Sequence, residues 1–190
     1  MNNSIEFVEC INPVSTNCDI IECLFIEIIC KFNKNIIVGV IYRPPDTDAD
    51  NFTTELDKLI TTLTFAKNKN IFLAGDFNIN LFKTDNHQPT KHFLEMMLSN
   101  HLLPLICHPT RVTSTSATLI DNIFTNVTAK CERSAIVYSD VSGHFPIAIQ
   151  CNLCTKPKIS ISIRKRKFNI DNIYPALNIS LSIAQHVQVV

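Results

Sequence analysis

The chain has 190 residues, 46% of them hydrophobic, and carries 17 Lys plus Arg against 17 Asp plus Glu. Such a length and hydrophobic content support one buried core with some appendage and exclude disorder throughout. The balanced charge excludes a net field drawing the chain to nucleic acid, so any such binding has to come from a local patch.

The opening MNNSIEFVEC has no basic segment followed by an apolar one, so no signal peptide is read there. No apolar run reaches the roughly 18 to 20 residues that span a bilayer, and the expectation is an intracellular protein, cytoplasmic or nuclear, with no membrane partner. The stretch DIIECLFIEIICKFNKNIIVGVIYRPP predicts two strands rich in β-branched residues, joined as a hairpin by KFNKN and stopped by Pro44 and Pro45. From Asp50 to about Ala66, the spacing of Phe52, Leu56, Leu59, Ile60 and Leu63 predicts an amphipathic helix with Asp50 as its N-cap. IFLA then reads as a strand buried on both faces, ending in GDFN.

A second helix is predicted over Thr90 to about Asn100, with Phe93, Leu94, Met97 and Leu98 on one face. LLPLI and a polar loop, HPTRVTSTSAT, precede three short strands, TLIDNIFT, SAIVYS and FPIAIQC. Beyond Cys154 the pattern weakens and RKRK (164–167) opens a segment with no clear period. A domain over 1–153 and a linker or tail over 154–190, basic at its start, are therefore expected. Strands alternating with helices and followed by a run of strands point to an α/β or α+β sandwich.

Eight cysteines are scattered through apolar runs and do not frame a loop-rich miniprotein, so they read as reduced thiols. Cys151 and Cys154 form one CxxC, without the second ligand pair of a zinc site or the helix of a redox site.

Three stretches could carry chemistry. In AGDFNIN, residues two apart on a strand share a face, so Asp76 and Asn78 can point together into a cleft, the carboxylate to take a proton or hold a metal and the amide to meet a phosphate oxygen. A plain turn built from Gly, Asp and Asn stays open for the same residues. In TLIDNIFT, Asp121 sits in an apolar strand and needs a partner unless it lies on a wet edge. His144 of SDVSGHFPI can be that partner, its tautomer fixed by Asp121 and its imidazolium favoured. In VGVIYRPPD, Tyr42 and Arg43 leave a strand before two prolines, and both side chains suit phosphate contact, although an aromatic there also suits packing.

The order YRPP, GDFN, PTR…ID and SxHFP resembles the endonuclease/exonuclease/phosphatase family, the fold of deoxyribonuclease I. It looks most like the endonuclease domain of LINE-type (non-LTR) retrotransposons, from about Ser4 through Leu153. The resemblance implies a four-layered αββα sandwich, Mg²⁺ as cofactor and DNA phosphodiester hydrolysis. Carried over, Asp76 looks like the residue that orients or deprotonates the attacking water and Asn78 its partner on the phosphate. Tyr42 looks like the phosphate-contacting tyrosine, Thr110 like the loop threonine beside the scissile strand, Asp121 like the brace of the catalytic histidine, and His144 like that histidine, with Ser142 and Arg43 further phosphate contacts.

Two departures stand against full activity. The family's asparagine near its N-terminus and its metal-binding glutamate have no match here, which implies that the front third of the domain is absent and the sandwich incomplete. Gly143 stands where the family pattern is Ser-Asp-His, removing a second carboxylate. Each lost charge in such a site commonly costs about 3 kcal/mol of transition-state stabilisation. The reading is an impaired endonuclease fragment. A non-catalytic remnant that still holds nucleic acid or a partner is the alternative.

Overall fold

The computed structural model describes residues 6–9, 19–30, 33–64, 69–139 and 142–153, all inside one compact unit, Met1–Pro157. The expected tail over 154–190, with its RKRK cluster and Cys154, lies outside the described residues. In chain order the elements are β1 (Phe7–Glu9), β2 (Glu22–Ile28), β3 (Ile36–Tyr42), α1 (Ala49–Thr64), β4 (Asn70–Asp76), α2 (Gln88–Ser99), β5 (Leu103–Pro104), β6 (Arg111–Val112), β7 (Ala117–Thr118), β8 (Asp121–Thr125), β9 (Cys131–Ile136) and β10 (Ile147–Cys151).

Six strands form one mixed sheet in the order β1-β2-β3-β4-β8-β5. The predicted hairpin is present as antiparallel β2 and β3. Pro44 and Pro45 end β3, and the chain returns through α1 to lay β4 parallel to β3. β8 then pairs antiparallel with β4 and carries β5 on its other side, so Asp121 begins an inner strand. Beyond the reach of β5, the Asp121 N–H donates to Thr110 Oγ1 and its carboxylate meets His144, which excludes the wet-edge reading. β9 and β10 form a separate two-stranded sheet, and β6 and β7 fold the expected polar loop into a small hairpin.

The two helices end up where their apolar stripes require. Phe52, Leu56, Leu59 and Ile60 of α1 and Phe93 and Met97 of α2 are buried with Ile37, Ile41, Leu73 and Phe124 of the sheet. Burying each such side chain is worth about 1.5–3 kcal/mol relative to exposing it. Phe77, just past β4, packs against Phe93 and edge-on against Phe124, which anchors the end of β4 to α2. The caps differ from the expectation in one respect. α1 is capped by Asp48, whose Oδ1 accepts from the Asn51 N–H, while Asp50 lies in the first turn and pairs instead with His92 of α2 at 3.0 Å.

On the other face of the sheet Ile36, Phe72 and Ile123 are buried under Ile147 and Ile149 of β10. The described residues thus stack as a helical layer, a six-stranded sheet and a two-stranded sheet, a deoxyribonuclease I-like α+β sandwich without an outer helical layer. β9 and β10 cover only part of that face. The register from β1 through β3 puts Phe7, Leu24 and Val40 on it, and these side chains are exposed.

Candidate active site

Register brings the site together. Tyr42 pairs with Asp76 across β3 and β4, and Asp76 pairs with Asp121 across β4 and β8, so the three residues form one row on a single sheet face. His144, from the loop between β9 and β10, reaches down onto that row. Its Nδ1 lies 3.2 and 3.1 Å from the two Asp121 oxygens and 3.7 Å from Asp76 Oδ2. With Nδ1 engaged by Asp121, Nε2 is left for a substrate or a water.

Gly75 allows β4 to come this close to β3. A Cβ there would sit 1.7 Å from the Ile41 carbonyl oxygen, so no other residue fits beside Asp76 without moving the backbone. Asp76, Asp121 and His144 line an open cleft of about 360 Å³, together with Val40, Ser142 and Phe145.

Burial raises the Asp76 carboxyl above its ordinary range. The Asn78 N–H, which donates to Asp76 Oδ1 at 3.0 Å, pulls the other way, the Asp121 charge adds to the rise, and His144 and Arg111 oppose it. Asp76 is thus the carboxylate of this cleft that holds a proton more readily than an exposed one.

Several expected phosphate contacts are placed differently. Arg43 is only 7% exposed. Its Nη1 donates to the Asn78 carbonyl at 3.2 Å and its Nη2 to the Thr47 carbonyl at 2.7 Å. Its backbone N–H donates to the Asp76 carbonyl, and its own carbonyl accepts from Asn78 Nδ2 at 2.8 Å. Arg43 is therefore a clamp on the loop after β4, with its guanidinium turned inward from any phosphate.

The same bonds correct the reading of Asn78. The strand ends at Asp76, Asn78 takes a left-handed φ of 49°, and its amide turns back to Arg43 instead of sharing the cleft.

Thr110 is fully buried, and its Oγ1 accepts from the N–H groups of Ile120 and Asp121 while its carbonyl accepts from the Phe145 N–H. It joins the Asp121 strand to the His144 loop without facing the cleft. Ser142 lines the cleft, but its hydroxyl donates to the His144 carbonyl at 2.6 Å and accepts from the His144 N–H, which builds the turn. Gly143 is exposed, with open space where a Cβ would stand. Tyr42, 38% exposed, pairs with Asp76 on the same face of the sheet and stands outside the residues that line the cleft.

Residues missed in the sequence are mostly asparagines that shape the loops. Asn80 Oδ1 accepts from the Phe82 and Leu119 N–H groups. Buried Asn122 accepts from Leu105 and Ile106 and donates to the Ile106 carbonyl. The repeated Asn in GDFNIN and the Asn after Asp121 were the available signal, since Asn in a short apolar context usually replaces a backbone partner.

The family model described as endonuclease-reverse transcriptase matches residues 36–148, from β3 into β10 and across every residue of the cleft. The chain belongs to this family. Among solved structures, the endonuclease domain of TRAS1, a telomere-specific non-LTR retrotransposon, superposes with a TM-score of 0.64 at 12% identity, covering 80% of this chain and 69% of that one. An endonuclease/exonuclease/phosphatase family protein from Leptotrichia buccalis gives a TM-score of 0.53 at 19% identity, covering 68% of this chain and 53% of that one. The family and these folds place the chain in the endonuclease/exonuclease/phosphatase superfamily, as the motif order had implied. No curated protein sequence matches the chain.

Proposed function

We propose that the chain is part of a retrotransposon-derived, Mg²⁺-dependent endonuclease that hydrolyses DNA phosphodiester bonds, and that its turnover is impaired. The observation that carries this reading is the meeting of Asp76, Asp121 and His144 at one cleft, with ligand atoms all within 4.8 Å of one another. The donor set fits a hard cation. Two half-buried carboxylates crowd together, one of them raised by burial, and oxygen ligands are what Mg²⁺ selects. Asp76 and Asp121 would hold the ion, which supplies charge neutralisation at the phosphate when bound.

The protein's own groups provide the rest. Asp76 is suited to orient the attacking water or take its proton. Asp121 fixes the His144 ring through Nδ1, which leaves Nε2 to meet a developing negative charge or the leaving oxygen. Tyr42, half-exposed next to Asp76 in the register, offers a hydroxyl suited to donate to a phosphate oxygen. Gly143 contributes nothing to this charge balance, and that is the ground for impaired turnover.

Nicking of a supercoiled plasmid in Mg²⁺ tests the reading. Little or no nicking is expected from this chain. Robust nicking that Asp76→Ala abolishes would support the endonuclease and overturn the claim of impairment.

Exposed Arg111, close enough to Asp76 to oppose its protonation, favours a second reading, a remnant that holds nucleic acid without cutting it. Filter binding across a salt series separates the two, because phosphate contacts weaken steeply with added salt. No retention of DNA or RNA at low salt removes the second reading.

A further inference from the structure

We propose that Cys131 and Cys151 form an oxidisable dithiol, a disulfide site at the base of the β-hairpin that carries His144. The two residues are direct partners where β9 begins and β10 ends, with their sulfur atoms 3.2 Å apart. They belong to two strands already held in register, so no chain closure is needed to bring them together. The Asn152 N–H donates to the Lys130 carbonyl at 2.9 Å, which makes the neighbouring Cys131–Cys151 pair one without ladder hydrogen bonds of its own. Such pairs have Cα atoms about 4.5 Å apart, inside the range that disulfides span.

Closing the sulfurs from 3.2 Å to a bond takes a shift of about 1.2 Å. The bulge between Gln150 and Cys151 gives the backbone local room for it. Both cysteines are half-buried, packed with Val127 and Leu153 against Ile36, Phe72 and Ile123, and reachable by a small thiol reagent.

The step balances with a small-molecule disulfide such as oxidised glutathione as the oxidant. Cys131, after loss of its proton to solvent, attacks one sulfur of the reagent and expels one glutathione thiolate. Cys151 then loses its proton and attacks the Cys131 mixed disulfide, expelling the second. The two protein thiols lose two electrons and two protons, and the reagent becomes two glutathione molecules.

Cys151 suits the second place. Burial first, then the hydrogen bond and charge of Cys131, push its thiol up to about 12, and converting Cys131 to a mixed disulfide removes the two contributions that come from Cys131. The bond would close the loop bearing Ser142 and His144 into a ring, which narrows the ensemble available to that loop.

The full chain, equilibrated with oxidised glutathione in native buffer and in parallel in urea, would be quenched, alkylated and mapped by tryptic mass spectrometry. Native oxidation is expected to lower the alkylatable thiols by two, from eight to six. It should also join the peptide of 131–133 to that of 134–158, with fragment ions assigning the bond to Cys151. In urea, pairings should scatter over all the cysteines. Cys131→Ser and Cys151→Ser should each abolish the link. The proposal is overturned by a native 131–151 link no more abundant than in urea, or by preferential pairing of Cys151 with Cys154.

Discussion

Arg43 shows how one residue can be decisive without touching substrate. The dipeptide Tyr-Arg at the end of a strand reads equally well as a phosphate clamp or as structure, because an Arg fork fits a phosphate and a pair of carbonyls alike. Its burial decides for structure, since the guanidinium spans the Asn78 and Thr47 carbonyls and its Nε has no partner. Arg43→Met should therefore leave two loop carbonyls without donors and cost about 2–4 kcal/mol. Chemical denaturation checks this. Arg43→Lys should recover only part, because one ammonium cannot reproduce the fork, and full recovery would mean that charge alone matters.

Asp76 makes the opposite prediction for stability. An acid raised in the folded state is disfavoured there when ionised, so it destabilises the fold at neutral pH, and the penalty disappears as pH falls below its unfolded value. Asp76→Asn keeps the acceptor for the Asn78 N–H and should stabilise the chain by about 1 kcal/mol at pH 7, with no gain near pH 3. Melting temperatures at the two pH values measure this, and a variant equally stabilised at both would remove burial of charge as the cause.

The elements that hold the site were largely legible where a single physical pattern dominated. α1 and α2 follow from apolar periodicity, β3 and β4 from β-branched and continuous apolar runs, and the structure shifts their ends by a few residues. β1 and the β6–β7 hairpin were not legible, because two- and three-residue strands gain their pairing from neighbours and leave no period behind. Among the site residues, Asp76, Asp121 and His144 converge because strand register and one loop place them, whereas the side chains of Asn78, Thr110 and Arg43 serve the backbone. A motif names residue types in order, but it does not say which of their polar atoms the fold consumes.

At the element scale Glu27 tests the joint between β2 and the start of β4. Hydrogen bonds from Lys69 at 2.7 Å and Asn35 at 2.8 Å, with the Lys69 charge, hold its carboxyl below the ordinary value against the opposing effect of burial. A depressed acid stabilises the fold above its unfolded value, and that contribution is lost as pH falls through the folded one. Glu27→Gln should thus destabilise by about 0.5–1 kcal/mol at pH 7 and by nothing near pH 3. A loss that persists at pH 3 would assign the effect to packing.

At the scale of the whole molecule, one sheet face is dry at one end and wet at the other. Over β4 and β8, Phe72 and Ile123 are sealed by β10, while over β1 to β3 Phe7, Leu24 and Val40 are 61%, 52% and 55% exposed. Contiguous apolar sheet surface of this kind drives association in water, because covering it removes apolar area without ordering new backbone. The chain by itself should therefore self-associate in the micromolar range, by the face beside the cleft, as expected for aggregation-prone apolar surface. Leu24→Thr with Val40→Thr keeps β-propensity, removes two of the exposed apolar side chains and leaves the Asp76, Asp121 and His144 contacts untouched. Sedimentation velocity over a concentration series should show the parent chain shifting to larger species and the double variant staying nearer the monomer. A parent chain that sediments as a single monomeric species across that series, with a cooperative melt, would mean that this face is quiet despite its composition.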